Sequence, residues 1–129
     1  MYDTEGNKIA TKLNENTLNV TGSVFLIKNG KLISTFNGEE IEGLASNYYI
    51  QADGRVNYFN SESRYVGFYV PTENRYYHYY PGKREEESHI ALLYNHEIYT
   101  IDEKPRYKID AGFDPEWVGC ILFFFLMIN

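Results

Sequence analysis

The segment Tyr76-Tyr77-His78-Tyr79-Tyr80 packs four phenols and an imidazole into consecutive positions. Phenol rings stack against sugars and partner side chains while their hydroxyls hydrogen-bond, which is why tyrosine is enriched at interfaces. On a strand, Tyr76, His78 and Tyr80 share one face, and Tyr77 and Tyr79 share the other. The segment reads as a stacking platform for a sugar or a partner protein, or as an ordinary strand with one face packed and one exposed. Lys83 and Arg84 lie just beyond it and are placed to orient an anionic ligand. The polar run Lys83–Glu87 that contains them reads equally as a solvated loop.

Other chemistry is thin. His78, His89 and His96, with Asp102 or Asp110, are the available metal ligands, yet no two of the histidines have a close ligand spacing. Ser88-His89 and Ser61-Glu62-Ser63 supply hydroxyls and a base, but proximity in sequence does not make a triad. Neither a Gly-rich phosphate loop nor a nucleophile elbow is present. The expectation is therefore no enzymatic activity, no metal and no cofactor.

Charge narrows the partners. A formal net charge of −6 and a pI near 5.0 argue against nucleic acid, which needs a basic stripe. They also weaken any attraction to anionic lipid. The single Cys120 excludes an intramolecular disulfide and, inside an apolar run, reads as a buried thiol. Met1-Tyr2-Asp3-Thr4-Glu5-Gly6-Asn7-Lys8 has no apolar h-region, so no signal peptide is expected and the cytoplasm is the default location.

The elements that must position these groups are mostly strands. A chain of 129 residues, 43% hydrophobic and 17% aromatic, is expected to fold as one domain. Asn29-Gly30 and Asn37-Gly38 are hairpin turns, because Asn and Gly tolerate the positive φ angles such turns require. They separate strands over Ser23–Lys28, Lys31–Phe36 and Glu39–Leu44. Further strands are expected over Asn47–Gln51, Arg55–Phe59, Arg64–Val70, Arg75–Tyr80, Ser88–Tyr94, Glu97–Asp102 and Arg106–Ile109. Lys8–Leu13 and Thr17–Val20 add two more. Roughly ten to twelve short strands at ~8–12-residue spacing indicate a sandwich or barrel.

The chain then becomes apolar on every side. From Trp117 to Ile128 there is no charged residue, and an element without a polar face must be surrounded. About a dozen residues are too few for a bilayer, which takes ~20. Asp114 as N-cap, Pro115 in the first turn, Glu116 at the positive dipole end and a Phe113–Val118 staple favour a helix over a central strand. A closed antiparallel barrel of this size needs an apolar filling, and a buried C-terminal helix supplies it.

The order Glu97-Ile-Tyr-Thr-Ile-Asp-Glu-Lys104, then Arg106-Tyr-Lys-Ile-Asp110, then Asp114 leading the apolar run resembles the tubby C-terminal-like superfamily, which includes LURP-one-related proteins and phospholipid scramblases. The Asn47–Phe59 hairpin with its Asp53-Gly54 turn is similar to one of that family's central hairpins. The resemblance implies a β-barrel around an axial helix and, in some members, phosphoinositide binding through surface basic residues. No matching Lys/Arg constellation is found here, so no site residue is carried over. The chain is shorter than most members. Phe123-Phe124-Phe125 is bulkier than their helices, which implies a wider or more open barrel, or a different fold.

The combined expectation is a mostly β, antiparallel barrel with a buried C-terminal helix, acting as a non-catalytic binding or scaffold module. Its partner would be a protein or a phospholipid headgroup, with neither nucleic acid nor a transmembrane segment, and oligomers could form through the Tyr-rich strands. The alternatives are a barrel that binds a carbohydrate or lipid, and a His-dependent hydrolase or metalloenzyme.

Overall fold

Both Asn-Gly pairs adopt the conformation their chemistry permits. Asn29 and Gly30 have φ of 50° and 78°, and Asn37 and Gly38 have 52° and 81°, the left-handed pair that matches strand twist in a tight hairpin. Asn95-His96 turns the same way, with φ of 53° and 64°. The computed structural model describes residues 1–82, 84 and 88–126. The expected loop residues Lys83, Glu85, Glu86 and Glu87, the last two positions of the expected apolar run, Met127 and Ile128, and Asn129 lie outside them.

The strands are β1 (Tyr2–Asp3), β2 (Ala10–Asn14), β3 (Thr17–Val20), β4 (Ser23–Lys28), β5 (Lys31–Phe36), β6 (Glu39–Glu40) and β7 (Asn47–Ile50). They continue with β8 (Val56–Phe59), β9 (Tyr65–Val70), β10 (Arg75–His78), β11 (His89–Tyr94), β12 (Glu97–Thr100) and β13 (Pro105–Lys108). Every named strand pairing is antiparallel, and the order is β1-β13-β12-β11-β10-β9-β8-β7-β5-β4-β3-β2, with β6 off the path against β5. The sheet curls into a nearly closed barrel. Tyr2 pairs Lys108 of β13 and bridges to Lys8 just ahead of β2, so β1 joins the two ends.

The expected strand Glu39–Leu44 is confined to Glu39–Glu40. The edge of β5 explains why. Its outer half pairs β6 through Thr35↔Glu40 and Phe36↔Glu39, but at Lys31 it pairs Asn47 of β7. Leu32 N–H likewise donates to Ser46 O at 2.9 Å. One strand edge has a single row of hydrogen bonds, so residues 42–45 must leave it after Ile41 N–H makes a last bond to Ser34 O at 2.8 Å. The β5–β7 join is consequently the shortest in the wall, with one paired position.

Inside runs the C-terminal helix: α1 (Pro115–Cys120), then a π-helical segment, Ile121–Phe125. Val118, Cys120, Ile121 and Leu122 are fully buried and belong to one core with Leu18, Val20, Tyr58, Tyr76 and Ile98 from the wall. Burial of large apolar side chains contributes roughly 1.5–3 kcal/mol each, so the helix is a major part of the stability. Among the described residues no helix is long and apolar enough to cross a membrane.

Two details of the helix differ from expectation. Asp114 occupies the cap position with extended backbone, but its carboxylate bonds no first-turn N–H; it binds the Lys12 ammonium at 3.2 Å instead. The helix also widens. Leu126 N–H reaches Ile121 O at 2.9 Å, the five-residue step of a π-turn. The wider turn sends Phe123 against Tyr58 and Phe125 edge-on to Phe25, with centroids 5.0 and 5.2 Å apart. Three consecutive large rings are thereby accommodated in a nearly closed wall.

Candidate functional site

Strand alternation sorts the Tyr-rich segment. Tyr76 and His78 point inward, and Tyr80, just past the end of β10, stacks on His78 with centroids 4.4 Å apart. Tyr76 is fully buried, and its hydroxyl donates to Pro115 O at 2.7 Å. This places it beyond reach of a surface partner. Tyr58 makes the parallel bond to Glu116 O, also at 2.7 Å. Two wall phenols therefore fix the first turn of the helix, and burial raises both well above the ordinary phenol range.

His78 Nδ1 is buried and, among the described residues, is the one buried side-chain polar atom without a hydrogen-bond partner. Burial lowers the His78 pKa, because the charged imidazole loses hydration there.

The outer face carries a different set of rings. Tyr77 stacks on Phe68 at 5.0 Å, its hydroxyl bonds the Glu73 carboxylate, and the Arg55 guanidinium lies 3.7 Å from the Phe68 centroid. Tyr79 packs on Tyr65 at 4.8 Å, and Tyr65 on Phe59 at 5.4 Å. Arg55 Nη2 donates to the Tyr65 hydroxyl at 3.1 Å, and that hydroxyl donates to Asn57 Oδ1 at 2.8 Å. The result is a strip, Phe59–Tyr65–Tyr79, across β8–β10, with Tyr79 43% exposed. A shallow pocket of about 160 Å³ lies beside it, bounded in part by Arg55, Tyr79, Tyr80 and Ser88. Arg84 stands exposed nearby in sequence, and Lys83 lies outside the described residues.

Of the expected segment Tyr76–Tyr80, only Tyr79 joins this strip, and its ring partners were not among the expected residues. Phe59 and Tyr65 come from other strands; alternation beside Tyr58 could have signalled Phe59, whereas Tyr65 meets it only through the register shift between β8 and β9.

A second concavity, of about 530 Å³, opens in the wall where β7 outruns the β4–β5 turn. Its lining includes Tyr48, Tyr49, Ile50, Glu15, Asp114, Glu116 and Trp117. Gly30 makes the local geometry possible: a side chain there would place Cβ 2.1 Å from Tyr48 O, and φ is already +78°. Lys12 reaches the rim, with its ammonium 5.2 Å from the Trp117 ring centroid, 3.2 Å from Asp114 and 3.7 Å from Glu15. Trp117 Nε1–H donates to the Tyr48 hydroxyl at 3.3 Å. The half-buried Glu116 carboxylate has no ion-pair partner among the described residues. Burial, then the Asp114 charge, raises its pKa.

The remaining candidates are dispersed. His78 lies on β10, His89 on β11 and His96 in the following turn. Among the described residues, no group of three or more His, Cys, Asp or Glu side chains is placed to hold a metal ion. The Cys120 thiol is fully buried, and burial drives its pKa up, which leaves it a packing group. No family model, curated protein or solved structure matches this chain.

Proposed function

We propose that this chain is a non-catalytic binding module that meets a partner protein through the Phe59–Tyr65–Tyr79 strip. The observation that carries the reading is the strip itself: three contacting rings on the outside of adjacent strands. Rigid aromatic rings supply contact area with little loss of side-chain entropy, which suits them to anchor an interface. Arg55, bonded to Tyr65, adds a positioned charge at the border. The meander and its axial helix support the resemblance to tubby-like barrels, and the acidic overall charge favours a protein partner over a phospholipid headgroup. Oligomer formation through the same strip is the self-association form of this reading.

The pocket beside Tyr79 and Tyr80 favours one second reading, a carbohydrate stacked on the exposed ring.

Site-specific photocrosslinking distinguishes the strip from the rest of the surface. A benzophenone side chain at position 79 is expected to give a discrete protein adduct in cells that disappears in Tyr65→Ala. The same probe at Tyr94, which is also exposed, is expected to give none. Identical adduct patterns from both positions would sink the proposal. Saturable oligosaccharide binding without adducts would favour the second reading.

A further inference from the structure

We infer that the gap beside β7 is a binding site for an organic ammonium group, the ε-amino group of a lysine or one amine of a polyamine. The site shares no lining residue with the Phe59–Tyr65–Tyr79 strip and does not depend on it.

Carboxylates alone would make this a solvated surface, but three independent features converge here. The first is shape: the cavity measures about 530 Å³ and is bounded by Tyr48, Tyr49 and Ile50 on β7 and by Trp117 from the helix. Aromatic faces carry negative quadrupole charge and hold ammonium groups; the Tyr49 ring is the exposed one here, whereas Trp117 is buried beneath Lys12. The second is an ammonium already at the edge. Lys12 extends across the rim to lie 5.2 Å from the indole centroid and 3.2 Å from Asp114. The chain thus displays the recognition chemistry with its own side chain.

The third feature is unspent charge. Glu15 and Asp114 share Lys12, whereas Glu116 lines the same cavity without an ion-pair partner among the described residues. Half-burial already penalises its ionised form. A second ammonium entering between Tyr49 and Glu116 would relieve that penalty while its aliphatic stem packs on Ile50. The positive end of the short helix opposes any cation. Asp114 and Glu116, both in the first turn, place opposite charge in front of it.

Lys12 and the incoming group have the same charge and adjacent positions, so they compete. This fixes the sign of two substitutions. Glu116→Gln removes the anion and is expected to weaken binding at least 5-fold. Lys12→Met removes the internal competitor and is expected to strengthen binding about 3-fold.

Trp117 is the only tryptophan in the chain, so intrinsic fluorescence reads this site directly. The probes are the peptide acetyl-Ala-Lys-Ala-amide, spermidine, and acetyl-Ala-norleucine-Ala-amide as the uncharged control. A saturable change with either charged probe, absent with the norleucine peptide and shifted as stated in both variants, supports the inference. Tighter binding of the peptide identifies a protein lysine as the source, and tighter binding of spermidine a free polyamine. Equal responses to lysine and norleucine peptides, or no saturation with either amine in Lys12→Met, would overturn it. Circular dichroism of each variant establishes that the barrel is intact. Crosslinking at Tyr79 reports on the other surface, so either result can fail alone.

Discussion

The Tyr58 hydroxyl reaches Glu116 O at 2.7 Å because Gly119 leaves the space through which it passes. A Cβ at position 119 would lie 2.0 Å from that hydroxyl oxygen and 2.1 Å from the ring carbon bearing it. The helix thus approaches the wall at a point where backbone meets ring. Gly119→Ala is expected to destabilise the protein by about 2–4 kcal/mol through overpacking in a filled core. Tyr58→Phe, which loses the hydrogen bond and keeps the ring, should cost only about 1 kcal/mol. Urea denaturation of the two variants gives both values; a smaller loss for Gly119→Ala than for Tyr58→Phe would contradict the packing.

The π-turn makes a prediction about the three phenylalanines. The Phe123 ring lies against Gly67, where a Cβ would meet it at 2.4 Å, and also contacts Tyr58. Phe125 is 36% exposed and has its recorded ring contact with Phe25. Phe123→Ala should therefore cost about 3–5 kcal/mol, and Phe125→Ala about 1 kcal/mol. Comparable thermal shifts for the two would mean that the rings share burial more evenly than the structure shows.

Glu116 connects stability to pH with a definite sign. Its folded pKa is raised above the ordinary value by burial and by Asp114. Its contribution is thus fully present below the unfolded pKa, near 4.5, and is lost as pH rises through the higher folded value. At neutral pH the charged group is a net burden on the fold. Glu116→Gln is expected to raise Tm by about 1–3 °C at pH 7 and to leave it nearly unchanged at pH 4. Scanning calorimetry at the two pH values tests this, and a lower Tm at pH 7 would refute it. The same substitution is expected to abolish most ammonium binding, so the residue would gain function at the expense of stability.

The imidazoles act in the opposite direction. Burial lowers His78 and His89, with the Arg75 charge adding to the effect at His89. Stability associated with these neutral rings is present above the ordinary value of 6.5 and declines as pH falls through their lower folded values. His78→Phe, which also removes the unpartnered Nδ1, is expected to flatten the acid side of the stability curve. An unchanged slope between pH 7 and pH 5 in urea titrations would count against it.

The parts of the fold set by local chemistry could be read directly. Asn29-Gly30 and Asn37-Gly38 specify their own turns, and an apolar run without a polar face specifies its own burial. The parts set by distant encounters could not. Gly67 and Gly119 read as neutral positions until Phe123 and Tyr58 arrive from elsewhere in the chain. Glu39–Leu44 follows a hairpin turn as a strand would, but competition for the β5 edge decides its length. The same limit applied to the sites. Tyr79 was identifiable from its neighbours, whereas Lys12 and Trp117 meet only because the sheet closes around the helix. Asp114 was recognised as a cap by type, yet the ammonium that captures it comes from β2.

The way the wall closes has a mechanical implication. Nearly every strand is bonded to its sequence neighbour, a pattern that can assemble locally. The extremes of the described sheet are drawn together by β1, through two residue pairs to β13, the Tyr2–Lys8 bridge and main-chain bonds from Met1 to Ile9 and Ala10. The helix also grips the wall from within: Tyr58 on β8 and Tyr76 on β10, one strand apart, anchor the same arc to consecutive carbonyls at the helix head. The consequence is mutual: the staves enclose an axle that has no polar face, and the axle tethers the staves at β8 and β10.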